Sequence, residues 1–254
     1  MLTAKVNNVS LAYQRLGRGL PMVLLHGYPL DHTTWEPVIP LLENHADLIL
    51  PDLRGFGGSS LTGSGYSLVD MATDVAALLD HLEVEKAILV GHSMGGYVSL
   101  AFAHAHPRRV LGLGLVASQV IADPPERQKV RYETANVIRS QGTMFVASSM
   151  PAQLTSDETI QAVLREIALR QRPEGMAGAL EAMAGRPDSR PFLAEFDFPI
   201  VIIHGREDRL IPIERAREAL AGTRRGTLVE IEGTGHMPMM ESPQTTAEAL
   251  KSLL

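Results

Sequence analysis

The sequence predicts an α/β fold in which a mostly parallel sheet of eight strands carries helices on both faces. Three observations support this prediction: six short apolar runs look like buried strands, helical patterns lie between many of them, and a hairpin pattern precedes them all. Apolar residues make up 45% and charged residues 20% of the 254 residues, which is ordinary for a chain that buries its own core. We therefore expect a globular protein that folds without metals or disulfides.

The chain begins with a pattern typical of a β-hairpin. Val6 and the run from Val9 to Tyr13 flank Asn7 and Asn8. Asparagine tolerates the positive φ that a tight hairpin turn requires. We expect two antiparallel strands here.

The six later runs are rich in Val, Ile and Leu and are bounded by Gly, Pro, Asp or charged residues, as in strands buried on both faces of a parallel sheet. Between two of them, Ser67 to Asp70 has the pattern of a helix-capping box, and apolar residues follow at helical spacing as far as Leu82. Sheets of this kind bind ligands at the carboxyl ends of their strands, so functional motifs should follow strands directly. The runs are residues 22–25, 48–50, 87–90, 111–116, 200–203 and 228–231.

One region breaks the alternation of strand and helix. From Gln119 to about Phe198 the periodicity is helical throughout, with Pro and Gly as punctuation. We therefore divide the chain into a core domain, residues 1–118 and 199–254, and a helical cap insertion, residues 119–198. Methionine fills irregular gaps readily, so most apolar cap residues are expected to pack in a core. Some would line a substrate pocket, and the candidates are Phe145, Met150 and Met183.

A candidate nucleophile lies at the end of the third apolar run. Ser93 stands between Gly91 and Gly95, directly after a predicted strand and before a helical stretch that ends at Pro107. In this strand-turn-helix context G-x-S-x-G is a nucleophile elbow, because glycine relieves the crowding where the chain reverses. The turn would expose the serine oxygen and direct the backbone N–H of Met94 at an oxyanion.

A nucleophilic serine needs a base, and nine histidines compete for that role. His104 and His106 belong to the helix after the elbow, where a solvated or packed side chain is the simpler interpretation. His26 precedes a loop that it would brace. His236 follows the last predicted strand in a glycine-containing loop at the catalytic edge of the sheet, so we assign it as the general base.

The histidine in turn needs an acceptor that fixes its tautomer and stabilises its charged form. Asp208 follows the strand 200–203 and fits this role, whereas its neighbour Glu207 fits a solvated surface charge beside Arg206 and Arg209. The resulting order along the chain, Ser93, Asp208, His236, is the order typical of this kind of sheet.

A second oxyanion donor is expected from the loop after residues 22–25. The backbone N–H of Tyr28 is the candidate, because Pro29 has no N–H and Gly27 allows close approach. The sequence leaves open whether the bond before Pro29 is cis or trans.

Five segments together resemble the α/β-hydrolase superfamily, and the resemblance spans nearly the whole chain. It implies a triad of Ser93, Asp208 and His236, an oxyanion hole from Tyr28 and Met94, and a helical cap. Small carboxylesterases, enol-lactonases, cofactor-free haloperoxidases or perhydrolases and carbon–carbon bond hydrolases share these motifs. Relatives that use an aspartate nucleophile, such as haloalkane dehalogenases and epoxide hydrolases, do not match Ser93. The segments are residues 26–29, 52–60, 91–96, 205–208 and 233–236.

Other classes of function fit the sequence less well. The glycines of residues 52–60 lack the Lys-Ser/Thr ending of a phosphate loop and are better read as a structural turn. There is no cysteine and no H-E-x-x-H motif, so we expect no metal and no cofactor. The net charge of -6 is scattered, which argues against nucleic acid or an anionic membrane as partner.

These patterns favour a cytoplasmic esterase that takes small soluble esters with a short acyl or aryl group. A helical cap of about eighty residues should close a pocket of bounded volume, and the N-terminus carries no signal-peptide pattern. The triad alone does not separate an esterase from a perhydrolase, an enol-lactonase or a carbon–carbon bond hydrolase. A ligand receptor without turnover is a further alternative, and the sequence leaves open whether the protein is a monomer or a homodimer.

Overall fold

A computed structural model describes residues 1–63 and 65–254 and contains one sheet of eight strands. The strand order is β1-β2-β4-β3-β5-β6-β7-β8. β1 pairs antiparallel with β2 and β2 antiparallel with β4, while all later neighbours run parallel, which confirms the predicted architecture. The strands are β1 (Leu2–Val6), β2 (Val9–Gly17), β3 (Leu20–Leu25), β4 (Ala46–Pro51), β5 (Ala87–His92), β6 (Val110–Val116), β7 (Ile200–Gly205) and β8 (Gly226–Ile231).

The turn between β1 and β2 is the predicted asparagine turn. Asn7 has φ 45° and Asn8 has φ 63°, and the register pairs Val6 with Val9. Positive φ at both central residues gives a hairpin turn whose twist matches that of the flanking strands.

Helices cover both faces of the sheet. Alternate residues of β3 separate into two apolar clusters: Val23 and Leu25 pack with α2 and α3, whereas Met22 and Leu24 pack with Trp35 and α12. This alternation follows from the period of two along a strand. The helices are α1 (Ile39–Leu42), α2 (Leu68–His81), α3 (Met94–Ala105), α4 (Pro125–Gln141), α5 (Met144–Ser149), α6 (Pro151–Leu154), α7 (Glu158–Leu169), α8 (Pro173–Ala184), α9 (Arg190–Leu193), α10 (Ile213–Ala221), α11 (Pro238–Glu241) and α12 (Pro243–Lys251).

The predicted capping box begins α2. Ser67 Oγ accepts a hydrogen bond from the Asp70 N–H, and the Asp70 carboxylate accepts one from the Ser67 N–H. Two of the N–H groups that a helix leaves unpaired at its start are thus satisfied.

The edge strand β8 differs from the other apolar runs. It pairs with β7 alone and most of its residues are only half-buried, so it is not covered on both faces as its composition suggested. Glu230 accepts hydrogen bonds from Arg206 and Arg217 at this edge. Charged groups of this kind protect a sheet edge from pairing with another chain.

Six helices, α4 to α9, occupy the region between β6 and β7, in agreement with the helical periodicity of that region. We call residues 119–198 the cap segment, and its division from a core domain stays a prediction. Residues at the turn between α7 and α8 tie the cap segment to the loop after β3: Arg170 forms hydrogen bonds to the Asp31 carboxylate at 2.8 Å, and Gln171 donates to the same group at 3.0 Å. Within the described residues, no helix is long and apolar enough to cross a membrane.

Candidate active site

Ser93 occupies a strained turn between β5 and α3. Its φ of 50° and ψ of -111° are unusual for a residue with a side chain. A Cβ atom on Gly91 would lie 2.2 Å from the carbonyl carbon of Gly95, so the backbone must pack here without side chains. Backbone strain of this kind persists where surrounding structure enforces it, often at functional sites. The elbow geometry that the sequence predicts is therefore present.

The loops after β7 and β8 bring together the other two predicted catalytic residues. His236 Nδ1 lies 2.6 Å from Asp208 Oδ2, and both side chains are buried. Among the described residues, neither Ser93 Oγ nor His236 Nε2 makes a hydrogen bond, to the other or to any third group, and both residues are buried. Glu207, the rival acid, is exposed.

Asp208 is held as an ionised acceptor. Its Oδ1 accepts hydrogen bonds from the N–H groups of Leu210 and Ile211, each at 2.9 Å. Burial by itself raises the pKa of the Asp208 carboxyl, but the charge of His236 and the hydrogen bonds from His204, His236 and Ile211 outweigh it and hold that pKa well below its usual range. An ionised carboxylate is the group that keeps a proton on His236 Nδ1.

His204 is a neighbour of this pair to which the sequence analysis gave no role. It lies at the end of β7, fully buried, with Nε2 2.8 Å from the Ile211 carbonyl and 3.3 Å from Asp208 Oδ2. Nε2 therefore carries the proton and points at the acceptor side of Asp208. The signal in the sequence was its position four residues before the acid at the end of a strand, but only the fold shows the contact.

His92 links the elbow to the histidine loop. Its Nε2 lies 2.8 Å from the backbone carbonyl of His236, and the two imidazole rings are 5.0 Å apart between centroids. Since a carbonyl only accepts, Nε2 is the protonated nitrogen. Burial, reinforced by the nearby His236, lowers the pKa of His92 to about 3, so the ring stays neutral. Because His92 directly precedes Ser93, this hydrogen bond holds the backbone of His236 next to the elbow.

The loop after β3 approaches the elbow closely, as an oxyanion hole requires. A Cβ on Gly95 would lie 2.4 Å from the Leu25 carbonyl oxygen. In the described chain, the N–H groups of Tyr28 and Met94 donate to no protein acceptor. Both predicted oxyanion donors are therefore available, and their role stays a prediction. The bond between Tyr28 and Pro29 is cis.

His26 braces this loop, as the sequence indicated. Its Nε2 accepts a hydrogen bond from the Leu53 N–H at 2.9 Å, and its Nδ1 lies 2.9 Å from the Gly27 carbonyl. Burial lowers the pKa of His26, which favours the neutral ring that these two contacts require. The segment 52–60 forms the predicted turn, in which Asp52 accepts from the His32 and Gly58 N–H groups.

Asp52 of this turn forms a compact group with Asp31 and His32 of the loop after β3, and all three side chains are of types that can bind a metal ion. His32 Nδ1 lies 2.7 Å from Asp52 Oδ1, and Asp31 accepts from Arg170 and Gln171. These atoms are committed to protein partners, so the group acts as a hydrogen-bond network between loops and cap segment.

A groove of about 740 Å³ opens beside Tyr28, between α4 and α5 of the cap segment and the loop at Arg209 and Leu210. Two of the three predicted pocket residues, Phe145 and Met150, line it. Met183 does not: it is buried in the core under the cap segment, 3.5 Å from Arg131 Nη1 through its sulfur. Helical spacing alone did not show which face of α8 points inwards, and the burial of Met183 is typical of a packing residue, while its predicted place in a substrate pocket stays a prediction. Substrate contact by the other two stays a prediction.

A nucleophile elbow at the end of β5, followed by an acid after β7 and a histidine after β8, is the arrangement that defines α/β hydrolases. Residues 21–243 match the family model described as alpha/beta hydrolase fold, and the chain belongs to this family.

Its relatives support a hydrolase function. It is 35% identical in sequence to a thermophilic esterase from Thermogutta terrifontis, with a TM-score of 0.93 over 96% of this chain and 92% of that one. It is 30% identical to the pimeloyl-[acyl-carrier protein] methyl ester esterase of Aeromonas hydrophila, over 96% of this chain and 98% of the relative. It is 31% identical to a putative non-heme chloroperoxidase of Synechocystis, over 88% and 86% of the two chains.

Proposed function

We propose that this protein is a serine carboxylic ester hydrolase that acts on small soluble esters with a short acyl or aryl group. The observation that carries the proposal is the buried pair of His236 and Asp208, 2.6 Å apart, in a structure that also holds Ser93 at φ 50° on an elbow. The two esterase relatives favour ester substrates.

The proposed cycle uses protein groups and water alone. His236 Nε2 takes the proton of Ser93 as the serine oxygen attacks the ester carbonyl, and the N–H groups of Tyr28 and Met94 bind the oxyanion. His236 then gives the proton to the leaving alcohol, which leaves an acyl group on Ser93. Water gives a proton to His236 as it attacks the acyl carbonyl, and His236 then returns that proton to Ser93 Oγ as the bond between the acyl group and the serine breaks and the acid leaves. Asp208 stays ionised throughout and stabilises the charged imidazole.

The size of the groove supports the choice of small substrates. About 740 Å³ falls within the usual range for sites that enclose a small molecule. We propose that the cap segment, which forms one wall of the groove with α4 and α5, limits the length of the acyl chain. We expect kcat/KM to be highest for acetate or butyrate among acetate, butyrate, octanoate and palmitate esters of one leaving group. A maximum at palmitate would contradict the size argument and leave the serine mechanism untouched.

The test of the function compares the wild-type protein with two active-site variants on 4-nitrophenyl acetate. Ser93→Ala and His236→Ala should each lose at least about a thousandfold in kcat, because triad members act as a unit. Ser140→Ala, an exposed serine on α4, and His104→Ala, an exposed histidine on α3, are matched controls that should keep full activity. More than a tenth of wild-type kcat in the Ser93 variant would reject the proposal.

A perhydrolase is the second candidate, and the relative described as a putative non-heme chloroperoxidase favours it. In that reaction hydrogen peroxide replaces water as the nucleophile that attacks the acyl group on Ser93, and a peroxyacid is released. Bromination of an indicator dye in acetate buffer with hydrogen peroxide separates the two. A bromination rate that depends on Ser93 and exceeds ester hydrolysis would assign the perhydrolase.

A further inference from the structure

The groove beside Tyr28 carries a charge opposite to that of the whole chain. Three arginines line it, Arg127, Arg131 and Arg209, together with one acid, Glu126. The protein as a whole has a net charge of -6. Cations concentrated in a cleft raise the local concentration of anionic ligands, so the lining points to a negatively charged substrate.

The acid behind the groove does not neutralise this charge. Asp123 is fully buried at its side chain and contacts Arg131, Arg186 and, at 3.6 Å, Arg127. One negative charge is thus shared among three positively charged guanidinium groups. Positive charge remains on the side that faces the groove even after this ion pairing.

The hydroxyl of Tyr28 is the second, independent sign of a ligand. It is buried, it belongs to a residue that lines the groove, and within the described chain it has no hydrogen-bond partner. Burying a hydroxyl without a partner is costly, so an acceptor in the groove would relieve that cost. Tyr66 makes the contrast: its hydroxyl donates to the Gly175 carbonyl at 2.7 Å. Burial raises the pKa of Tyr28 far above its usual range, which keeps the hydroxyl a donor.

We propose that the groove holds a carboxylate subsite, in which the Tyr28 hydroxyl donates a hydrogen bond and Arg131 and Arg127 supply charge. The assignment rests on the proposed ester hydrolysis. Since the backbone N–H of Tyr28 is the candidate donor to the reacting carbonyl, the carboxylate lies about one tyrosine side chain away from that carbonyl. The substrate class is therefore an ester whose short acyl part ends in a carboxylate, such as a half-ester of a short dicarboxylic acid.

Matched pairs of esters test the subsite. The mono-4-nitrophenyl esters of glutaric and adipic acid are each compared with the neutral ester in which the far carboxyl is methylated, with the uncatalysed rate subtracted. For the better chain length we expect kcat/KM of the anionic ester to exceed that of its neutral partner about tenfold. The preference should shrink at high salt, because the groove is partly open to solvent.

Two variants with controls assign the preference to named groups. Tyr28→Phe removes only the hydroxyl. Arg127→Gln removes one positive charge and leaves Asp123 paired with Arg131 and Arg186. Each substitution should lower the ratio of kcat/KM for the anionic ester to kcat/KM for the neutral ester several-fold. Tyr132→Phe, an exposed tyrosine on α4, and Arg165→Gln, an exposed arginine on α7, lie outside the groove and should leave the ratio unchanged.

The outcomes distinguish this proposal from the esterase proposal. If neutral esters are hydrolysed but kcat/KM for the anionic ester does not exceed that for its neutral partner at either chain length, the subsite is overturned and the esterase proposal stands. If no ester is hydrolysed, the esterase proposal fails, and calorimetry then decides the subsite. Glutarate titrated into Ser93→Ala protein should bind, and more weakly when Tyr28→Phe is added. No binding, or binding indifferent to Tyr28, would overturn the subsite.

Discussion

Replacing Asp208 by asparagine should reduce kcat about 10⁴-fold while leaving the protein folded. The surroundings of the carboxylate explain the size of this effect. Oδ1 accepts two backbone N–H groups, from Leu210 and Ile211, and Oδ2 accepts His236 Nδ1. An asparagine has only one oxygen, so one of these two sides must face its NH₂ group.

The two orientations of the amide differ in free energy. If the NH₂ group faced the two backbone N–H groups, two buried donors would lose their acceptor at about 1–3 kcal/mol each. If it faces His236, the backbone N–H groups keep their acceptor, the 3.3 Å contact from His204 Nε2 is lost and the tautomer must change: Nδ1 becomes an acceptor and the ring proton moves to Nε2. The second orientation is preferred, and Nε2 can then no longer take the Ser93 proton. A 10⁴-fold loss corresponds to about 5.5 kcal/mol of activation free energy.

The assay is kcat on 4-nitrophenyl acetate, with circular dichroism and thermal unfolding to establish that the variant folds. Glu207→Gln is the matched control, since its side chain is exposed one residue away, and it should be nearly neutral. A large loss for the Glu207 variant with a small loss for Asp208→Asn would show that the acid is misassigned.

Three further predictions concern stability. Ser67→Ala should lower the free energy of unfolding by about 1 kcal/mol in urea titrations, because it removes the N-cap of α2; an unchanged midpoint would contradict the capping box. Gly91→Ala should prevent stable folding, since its Cβ would meet the Gly95 backbone at 2.2 Å, whereas Gly185→Ala, with 3.7 Å to its nearest neighbour, should change the melting temperature little. Hydrogen bonds from Arg186 and Arg131 overcome the effect of burial and hold the pKa of the Asp123 carboxyl below its usual range. In acid the unfolded state therefore binds more protons than the folded state. The stabilisation that the ionised Asp123 gives the folded state is present above about pH 4 and is lost below it. The difference in unfolding free energy between wild type and Asp123→Asn should therefore narrow as the pH falls below about 4, and a constant difference from pH 7 to pH 3 would refute this.

Much of the sheet was predictable because its signals are local. Apolar runs bounded by turn residues predicted six of the eight strands, and Asn7 with Asn8 marked the hairpin formed by the other two. The elbow could be predicted from residues 91–96 because strand, glycines and helix are consecutive. The candidates Asp208 and His236 followed from their position after strands, since parallel strands end at one edge.

The rest depends on contacts between distant segments. His92 and His204 reach the His236 loop and Asp208 only when the strands are aligned, and a histidine at a strand end carries no mark of such a role. The inward face of α8, which buries Met183, depends on which helices pack against it. The positively charged groove is likewise lined by residues from distant segments, since Arg127 and Arg131 lie about a hundred positions after Tyr28 in the sequence.

The most direct test of the central claim is to locate the residue modified by a fluorophosphonate probe, using peptide mass spectrometry on the folded protein. The account predicts a single modified residue, Ser93, with labelling absent in Ser93→Ala and greatly slowed in Asp208→Asn. Folded protein that stays unlabelled would favour a binding protein without turnover, and modification at a different residue would show that the nucleophile lies elsewhere. Either result would contradict a serine hydrolase acting through Ser93.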